Sequence, residues 1–167
     1  MLQPEGGIYM KTVLKKLCSV MMILALWTGC MTGAVCEETG SLQDLSAAVL
    51  ADHDDLLPWD EIDLYDIIGI PEELYTDFIY LTDASGLEGR EAVVLCCVSE
   101  EAAEEVYAFL SAYLERRVKE TQNYLPDACE LLSRAVPVKE GVTVILISGP
   151  SAEEETEAFL SMLSARE

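Results

Sequence analysis

The chain has 167 residues and a formal net charge of −21, because 31 acidic residues stand against 10 basic ones. A surface this acidic argues against nucleic acid as a partner, since phosphate binding depends on lysine and arginine. It favours cations and basic proteins instead, although the same charge can also serve only to keep a domain soluble. The length leaves room for one domain once the N-terminus is set aside.

Residues 1–36 have the pattern of a secretion signal, and Met10 is expected to be the true start. Three lysines after Met10 precede an apolar run from Leu17 to Trp27. This order is typical of a signal peptide, and the run is short for a membrane span. Because the lysines stay in the cytoplasm, the rest of the chain is expected outside it.

The end of this signal is compatible with three outcomes. Thr28 and Gly29 precede Cys30 in the way that small residues precede the lipid-modified cysteine of a lipoprotein. Ordinary cleavage after Ala34 is an alternative, and so is an uncleaved segment that anchors the chain. The expected localisation is therefore extracytoplasmic, either secreted or held at the membrane through a lipid or the N-terminal segment.

The chain has six cysteines but no C-x-x-C pair, which argues against a zinc knuckle and a thioredoxin-type motif. Cys96 and Cys97 are neighbours in an apolar run and are expected to be small buried side chains. In an oxidising compartment a disulfide can form among Cys36, Cys96, Cys97 and Cys129, and the sequence leaves its pairing open.

The domain is expected to begin with short helices. Residues 37–41 form a short polar tether, and residues 42–167 are expected to form one acidic α+β domain. Ser41 can cap a first helix, and Asp60 starts a second short helix that ends at Gly69.

The middle of the chain is predicted to hold two strands and a long helix. Phe78 to Leu81 is a β-type run, and Ala92 to Val98 is a continuous apolar strand that is expected to be covered on both faces. Ser99 then caps a long helix to about Gln122, whose acidic start and basic end suit the helix macrodipole.

The C-terminal part is predicted to hold a short helix, a hairpin and a last helix. The short helix begins near Pro126, and the hairpin turns at Glu140 and Gly141. Ser151 and Glu154 have the spacing of a capping box for the last helix.

An internal repeat suggests how these elements are arranged. The segment from Glu91 to Arg116 aligns without a gap on Gly141 to Arg166, with nine of 26 positions identical. Both segments run from a strand into a helix. The sequence therefore predicts two strand–strand–helix units that form a four-stranded, mainly antiparallel sheet with the helices on one face.

Few of the groups needed for catalysis are present. His53 is the only histidine, so a Ser-His-Asp triad or a Cys-His pair would have to use it. No G-x-S-x-G motif surrounds a serine, and there is no glycine-rich phosphate loop. The sequence therefore predicts a protein that is not an enzyme and needs no cofactor.

The acidic run around His53 is a candidate metal site. Carboxylates suit calcium, and histidine suits transition metals. The run departs from the EF-hand pattern because Leu56 stands where a further ligand is required, and a solvated acidic turn is the simpler alternative. Asp83 and Glu88 flank a second candidate loop. The candidate ligands of the first site are Asp52, His53, Asp54 and Asp55.

Charge is distributed unevenly along the chain. No lysine or arginine lies between Leu17 and Gly89, whereas Arg116, Arg117 and Lys119 lie towards the end of the long helix. We expect the acidic N-terminal helices to lie across this basic end.

These features together resemble a known family. The chain has a signal peptide, an Ile-Ile-Gly-Ile-Pro turn, a strand that opens with a glutamate, a long helix, a Tyr-Leu-Pro segment and a Glu-Gly hairpin. This order is similar to domain of unknown function 4358, found on secreted and lipoprotein-like proteins of Gram-positive bacteria. The resemblance covers about Leu45 to Leu163 and implies a location and a fold but no reaction. The positions that carry it include Gly69, Glu91, Tyr124, Pro126 and Gly141.

The expected function is that of a membrane-anchored, non-catalytic binding or interaction module. Its partner would be an unknown protein or envelope component, bound through an exposed sheet face or the acidic segment. The alternative is a cation or small-solute binding protein that uses the run from Asp52 to Asp55. An enzyme of unknown class is a remote alternative.

Overall fold

The described part of the chain belongs to the predicted domain. The computed structural model describes residues 55–165 together with Leu42, Gln43 and Ala47, all within one unit, Ala34–Glu167. Leu42, Gln43 and Ala47, which fall within the predicted first helix, are helical. The secretion signal, the tether and the rest of that helix lie outside the described residues.

Five strands form one sheet in which every neighbouring pair runs antiparallel. They are β1 (Leu56–Pro58), β2 (Tyr75–Asp83), β3 (Glu91–Cys97), β4 (Val138–Glu140) and β5 (Thr143–Ser148), in the order β1-β2-β3-β5-β4. The predicted number of four strands is wrong, because β1 pairs along the outer side of β2. The three residues of β1 are too few to show a β period. Pro58 fits this outermost strand because it has no amide hydrogen to donate.

The α+β class is confirmed by the helices that follow these strands. They are α1 (Glu61–Asp63), α2 (Glu100–Thr121), α3 (Pro126–Arg134) and α4 (Ala152–Ser164). A π-helix, Leu64–Ile68, continues α1, and a 3₁₀ turn, Glu72–Leu74, leads into β2. The predicted hairpin is also confirmed, since β4 and β5 pair across a turn that contains Gly141.

The first helical segment is fixed at both ends by its sequence. Asp60 accepts hydrogen bonds from the backbone N–H groups of Ile62 and Asp63 at 2.9 and 3.1 Å. The Asp63 side chain accepts one from the Asp60 N–H at 3.1 Å, which completes a capping box. Gly69 ends the segment at φ 92°, a left-handed conformation that favours glycine. The predicted helix begins and ends where expected, at Asp60 and Gly69, but only Glu61–Asp63 is α-helical and Leu64–Ile68 is a π-helix.

The caps of the two longest helices differ. Ser99 Oγ accepts a hydrogen bond from the Ala102 N–H at 3.1 Å, so the predicted cap of α2 is confirmed. Ser151 makes no side-chain cap bond at the start of α4, so the capping box predicted for Ser151 and Glu154 is wrong. The Ser151 backbone has φ −108° and ψ 13°, whereas a capping side chain usually belongs to an extended residue.

Helices cover both faces of the sheet, so the prediction of helices on one face is wrong. On the first, the α2 face, Val93 lies in one core with Leu110 of α2. On the second, the α4 face, Val94 lies in a separate core with Phe159 of α4 and with Leu42. Strands β3 and β5 are buried along their whole length. These central strands therefore present no bare sheet face to a partner.

The sequence repeat corresponds to a local strand–helix unit. One copy runs from β3 into α2 and the other from β5 into α4. Phe109 and Phe159 are equivalent in the repeat, but Phe109 packs at the α2 face and Phe159 is buried at the α4 face. A two-fold axis normal to the sheet would keep both helices on one face. The repeat therefore does not extend to the arrangement of the whole domain.

Candidate functional site

A buried polar cluster lies on the α2 face, and we call its three residues, Glu91, Tyr113 and Tyr80, the Glu91 cluster. Glu91 is the first residue of β3 and is only 2% exposed. Tyr113, from the middle of α2, donates a hydrogen bond to Glu91 Oε2 at 2.6 Å. The hydroxyl groups of Tyr113 and Tyr80, which belongs to β2, lie 3.4 Å apart. The cluster thus joins two strands to the long helix by polar contacts inside an apolar core.

Burial governs the acid–base state of the cluster. It raises the pKa of Glu91 above its ordinary range, while the bond from Tyr113 and the charge of Arg117 oppose the rise and the charge of Asp83 adds to it. Burial also raises the pKa of Tyr80 to about 12 and raises the pKa of Tyr113. Both phenol groups therefore keep their protons at neutral pH.

Two buried polar atoms in this region, Glu91 Oε1 and Arg117 Nε, have no hydrogen-bond partner among the described residues. Leaving a buried polar atom unbonded costs about 1–3 kcal/mol, and more when the group is charged. The penalty on Oε1 is therefore larger for a carboxylate than for a carboxylic acid. The folded domain accordingly holds Glu91 more easily in its neutral form.

The loop after β2 is organised by Asp83. Its carboxylate accepts hydrogen bonds from Ser85 Oγ at 2.6 Å and from the N–H groups of Ser85, Leu87 and Glu88 at 3.1, 3.2 and 3.3 Å. Burial alone would raise the pKa of Asp83, but these bonds outweigh it and hold the pKa below its usual range. In this candidate cation loop, the Asp83 oxygens are already used to hold the turn.

The same loop packs closely on α3. Gly89 has φ 72°, and a Cβ at this position would lie 2.9 Å from the backbone carbonyl oxygen of Ala128. Ser148 Oγ donates a hydrogen bond to the Gly89 carbonyl at 2.7 Å. Because only glycine fits here without strain, the loop, α3 and β5 meet tightly two residues before Glu91.

The candidate metal-binding run is described only at Asp55. Asp55 pairs with Arg90, immediately before β3, through Nη2 and Oδ1 at 3.0 Å and through Nη1 and Oδ2. Asp52, His53 and Asp54 lie outside the described residues. Among residues 55–165 with Leu42, Gln43 and Ala47, no group of three or more His, Cys, Asp or Glu side chains could hold a metal ion. The metal site at residues 52–55 stays a prediction.

The positions that carried the resemblance do not converge on one site. Gly69 ends the π-helix, Pro126 begins α3, and Gly141 lies in the β4–β5 turn. Tyr124 is 83% exposed. Glu91 is the member of this set that is both polar and buried. Glu91 is therefore the one buried ionisable group among these positions, whereas the two glycines and the proline lie in turns and at helix ends.

The basic end of α2 contacts the segment between Asp60 and Gly69 through a backbone carbonyl group. Among the described residues, no ion pair joins Arg116 or Lys119 to an acidic side chain of that segment. Arg116 donates a hydrogen bond to the backbone carbonyl of Ile67, and its guanidinium lies 5.6 Å from the centre of the Tyr113 ring. Lys119 faces Glu115 of its own helix at 3.8 Å. The carbonyl groups at the end of a helical segment need such donors.

The described cysteines behave as ordinary side chains of the fold. Cys96 and Cys97 are buried, as predicted. Burial raises the pKa of Cys97 to about 11. Cys129 is half-buried, and its thiol donates to the Val118 carbonyl at 3.8 Å. A thiol with the pKa of Cys97 is a poor nucleophile at neutral pH.

A cavity of about 470 Å³ lies between α3, β4 and the start of α4. Its apolar lining includes Leu131, Val138 and Ile147, one from each of three elements. Among the described residues, its charged lining has both signs and includes Arg134, Glu153, Glu154 and Glu157. Sequence reasoning missed this site because its residues come from separate elements and form no motif.

Sequence comparison supplies a family for this architecture. The profile of a family described as a domain of unknown function (DUF4358) matches residues 50–149, more than half of the chain. No curated protein and no solved structure matches the chain. Within the described ranges, none of the helices has the length and apolar character to cross a membrane.

Proposed function

This chain belongs to the DUF4358 family, and we propose that it is an exported, membrane-tethered module that binds a small solute and catalyses no reaction. The cavity between α3, β4 and the start of α4 is the observation that carries the binding part. Its volume is about 470 Å³. Small-molecule sites occupy about 300–1,000 Å³, so the cavity has room for a small solute.

The charges around the cavity favour a solute that carries both signs. Arg134 can bind a carboxylate through its planar guanidinium, and Glu153, Glu154 and Glu157 can bind an ammonium group. The apolar side chains between them suit a short carbon skeleton. Free amino acids and short peptides have this chemistry. A protein partner on an exposed sheet face is disfavoured, because the central strands are covered on both faces.

Two observations support a role without catalysis. The Glu91 carboxyl group is 2% exposed and bonded to Tyr113, so a substrate cannot reach it. Burial raises the pKa of the Cys97 thiol to about 11, which removes it as a nucleophile at neutral pH.

The tether is proposed from the N-terminal sequence. Cys30 is the candidate lipid acceptor, and cleavage after Ala34 or an uncleaved segment are the alternatives. Full-length wild type and Cys30→Ala should be expressed in bacteria fed with a labelled fatty acid. We expect labelled wild type in the membrane fraction and no label on the variant.

The fractionation also separates the alternatives. Unlabelled wild type of full mass in the membrane would indicate the uncleaved anchor, and unlabelled shortened wild type in the medium would indicate cleavage after Ala34. A wild-type protein that stays in the cytoplasm would contradict export altogether.

Solute binding is tested by thermal unfolding of the full-length chain in mild detergent with a panel of amino acids, dipeptides, simple amines and simple carboxylates. A solute at a hundredfold excess over its dissociation constant stabilises the folded form by about 2.7 kcal/mol. We expect zwitterions to raise the midpoint, and amines or carboxylates alone to raise it less. A panel without any shift would contradict the proposal.

Variants locate the bound solute. Arg134→Gln should abolish the shift, and Gly149→Leu should abolish it by filling the cavity, since a Cβ at Gly149 meets nothing within 4 Å. Lys119→Gln is the matched control, because Lys119 and Arg134 are both exposed and both face a glutamate four residues earlier. An equal shift in all three variants would place binding elsewhere.

A further inference from the structure

The carboxyl group of Glu91 is enclosed by elements of the α2 face. Helix α2 brings the Tyr113 hydroxyl to Oε2 at 2.6 Å and also carries Arg117, whose positive charge acts on Glu91. Strand β2 ends at Asp83, whose negative charge acts on Glu91 as well. In the sheet, Glu91 lies between Thr82 of β2 and Ser148 of β5. Neither of these two neighbours carries a charge.

Some of these groups favour the charged form of Glu91, and others favour its neutral form. The Tyr113 hydrogen bond and the Arg117 charge favour the carboxylate. The 2% exposure, the Asp83 charge and the unbonded Oε1 favour the neutral acid. Arg117 is only a partial counter-ion, because among the described residues no ion pair or hydrogen bond joins it to Glu91, and its Nε is itself unbonded. The environment that opposes the charge therefore dominates.

We propose that Glu91 is a buried proton-binding site, and that its proton makes the domain more stable in mildly acidic surroundings than at neutral pH. The pKa of Glu91 is raised in the folded domain, whereas the unfolded chain has the ordinary value of about 4.3. The stabilisation is complete below the unfolded value and is lost as the pH rises through the folded value. This inference is independent of the cavity.

The proton acts at the junction of α2 with the sheet. Glu91 contacts α2 through Tyr113, and Tyr113 approaches β2 through Tyr80. A carboxylate at this position has to regain solvation, which it can do if α2 or the nearby Asp83 loop moves away from β3. Acid therefore closes this junction and neutral pH loosens it. A domain outside the cytoplasm is exposed to the pH that would drive this change.

Thermal unfolding of three full-length chains in mild detergent tests the proposal: wild type, Glu91→Gln and Glu105→Gln. Glu105 is exposed on α2 and supplies a control with the same chemical change. Between about pH 5 and pH 8, we expect Glu91→Gln to lose part of the wild-type fall in midpoint and to be the more stable protein at pH 8, by on the order of 3 °C. Glu105→Gln should keep the wild-type slope. Equal slopes in all three chains would overturn the proposal.

Infrared spectroscopy measures the proton itself and remains decisive if Glu91→Gln fails to fold. Folded wild type at about pH 5 should show the carbonyl band of a buried protonated carboxylic acid, and this band should weaken as the pH rises to about 8. Tyr113→Phe should retain this band to a higher pH, because it removes a bond that favours the carboxylate. Absence of the band from folded wild type near pH 5 and above would overturn the proposal, whatever the melting curves show.

Discussion

The two faces of the sheet are covered in different ways. The α2 face is covered by a helix of 22 residues with seven buried side chains, and it also contains the Glu91 cluster. On the α4 face, the described cover consists of Leu42 and a helix of 13 residues in which Phe159 is the one buried side chain. The comparison teaches that a helix packed through many buried side chains can accommodate a costly polar group, whereas a helix packed through one depends on that side chain.

The largest effect is expected on the α4 face. Phe159→Ala should lower the free energy of unfolding by about 3–5 kcal/mol, because it empties the centre of that core. Phe109→Ala is the matched control, since Phe109 is its repeat equivalent but only half-buried. Urea unfolding measures both losses. An equal loss in the two variants would remove the proposed difference between the faces.

A second effect is expected where the loop before β3 meets α3. Gly89→Ala should cost about 2–4 kcal/mol, because it combines a contact of 2.9 Å with a left-handed backbone at φ 72°. Gly86→Ala should cost about 1 kcal/mol, since Gly86 is left-handed at φ 64° but has open space around it. Urea unfolding compares the two variants. Equal costs would mean that the close approach of residue 89 to Ala128 adds nothing to the cost of the left-handed backbone.

A third effect depends on pH. Tyr113→Phe removes the bond to Glu91 Oε2 and should cost about 1–3 kcal/mol at pH 8, where a carboxylate would lose its only hydrogen-bond donor among the described residues. The cost should be smaller at pH 5, because burial raises the pKa of Glu91 and so favours the neutral acid, which depends less on this bond, as the pH falls. Tyr80→Phe is the control, because the Tyr80 hydroxyl lies near Tyr113 and not on Glu91. Urea unfolding at both pH values measures these costs. A cost of Tyr113→Phe that is the same at pH 5 and pH 8 would contradict the prediction.

The smallest effect is expected at the basic end of α2. Arg116→Gln should cost up to about 1 kcal/mol, because it removes the donor to the Ile67 carbonyl and the contact with the Tyr113 ring. Lys119→Gln should cost about 0.3 kcal/mol, since that lysine makes an exposed pair within its own helix. Urea unfolding in low and high salt measures both. Only the effect of Lys119→Gln should disappear in high salt. If the effect of Arg116→Gln disappeared in high salt instead, Arg116 would act mainly by its charge.

Local features of the fold could be predicted because they depend on neighbouring residues. Asp60 and Gly69 bound one helical segment, Ser99 caps α2, and the apolar run at β3 is buried throughout. The face on which α4 packs could not be predicted, because the repeat contains the same strand-to-helix order whichever face the helix takes. The strand at Leu56–Pro58 was missed because three residues show no periodicity.

The candidate sites were harder to predict than the fold. Glu91 was recognised only as a position of the family motif, since a glutamate at the start of a strand is usually at the surface. Its burial results from Tyr113, which lies 22 positions later and meets it only after α2 packs on the sheet. The cavity has the same origin, because Arg134 and Glu153 come together only when α3 and α4 are both in place.

The outermost strands, β1 and β4, have three residues each; β1 ends at Pro58, and β4 contains Lys139. Such short borders offer a second molecule few free backbone groups with which to form intermolecular β-structure, and proline and lysine reduce that number or repel the approach. Proteins crowded on one surface meet each other often. For this domain, frequent encounters would therefore not lead readily to edge-to-edge aggregation.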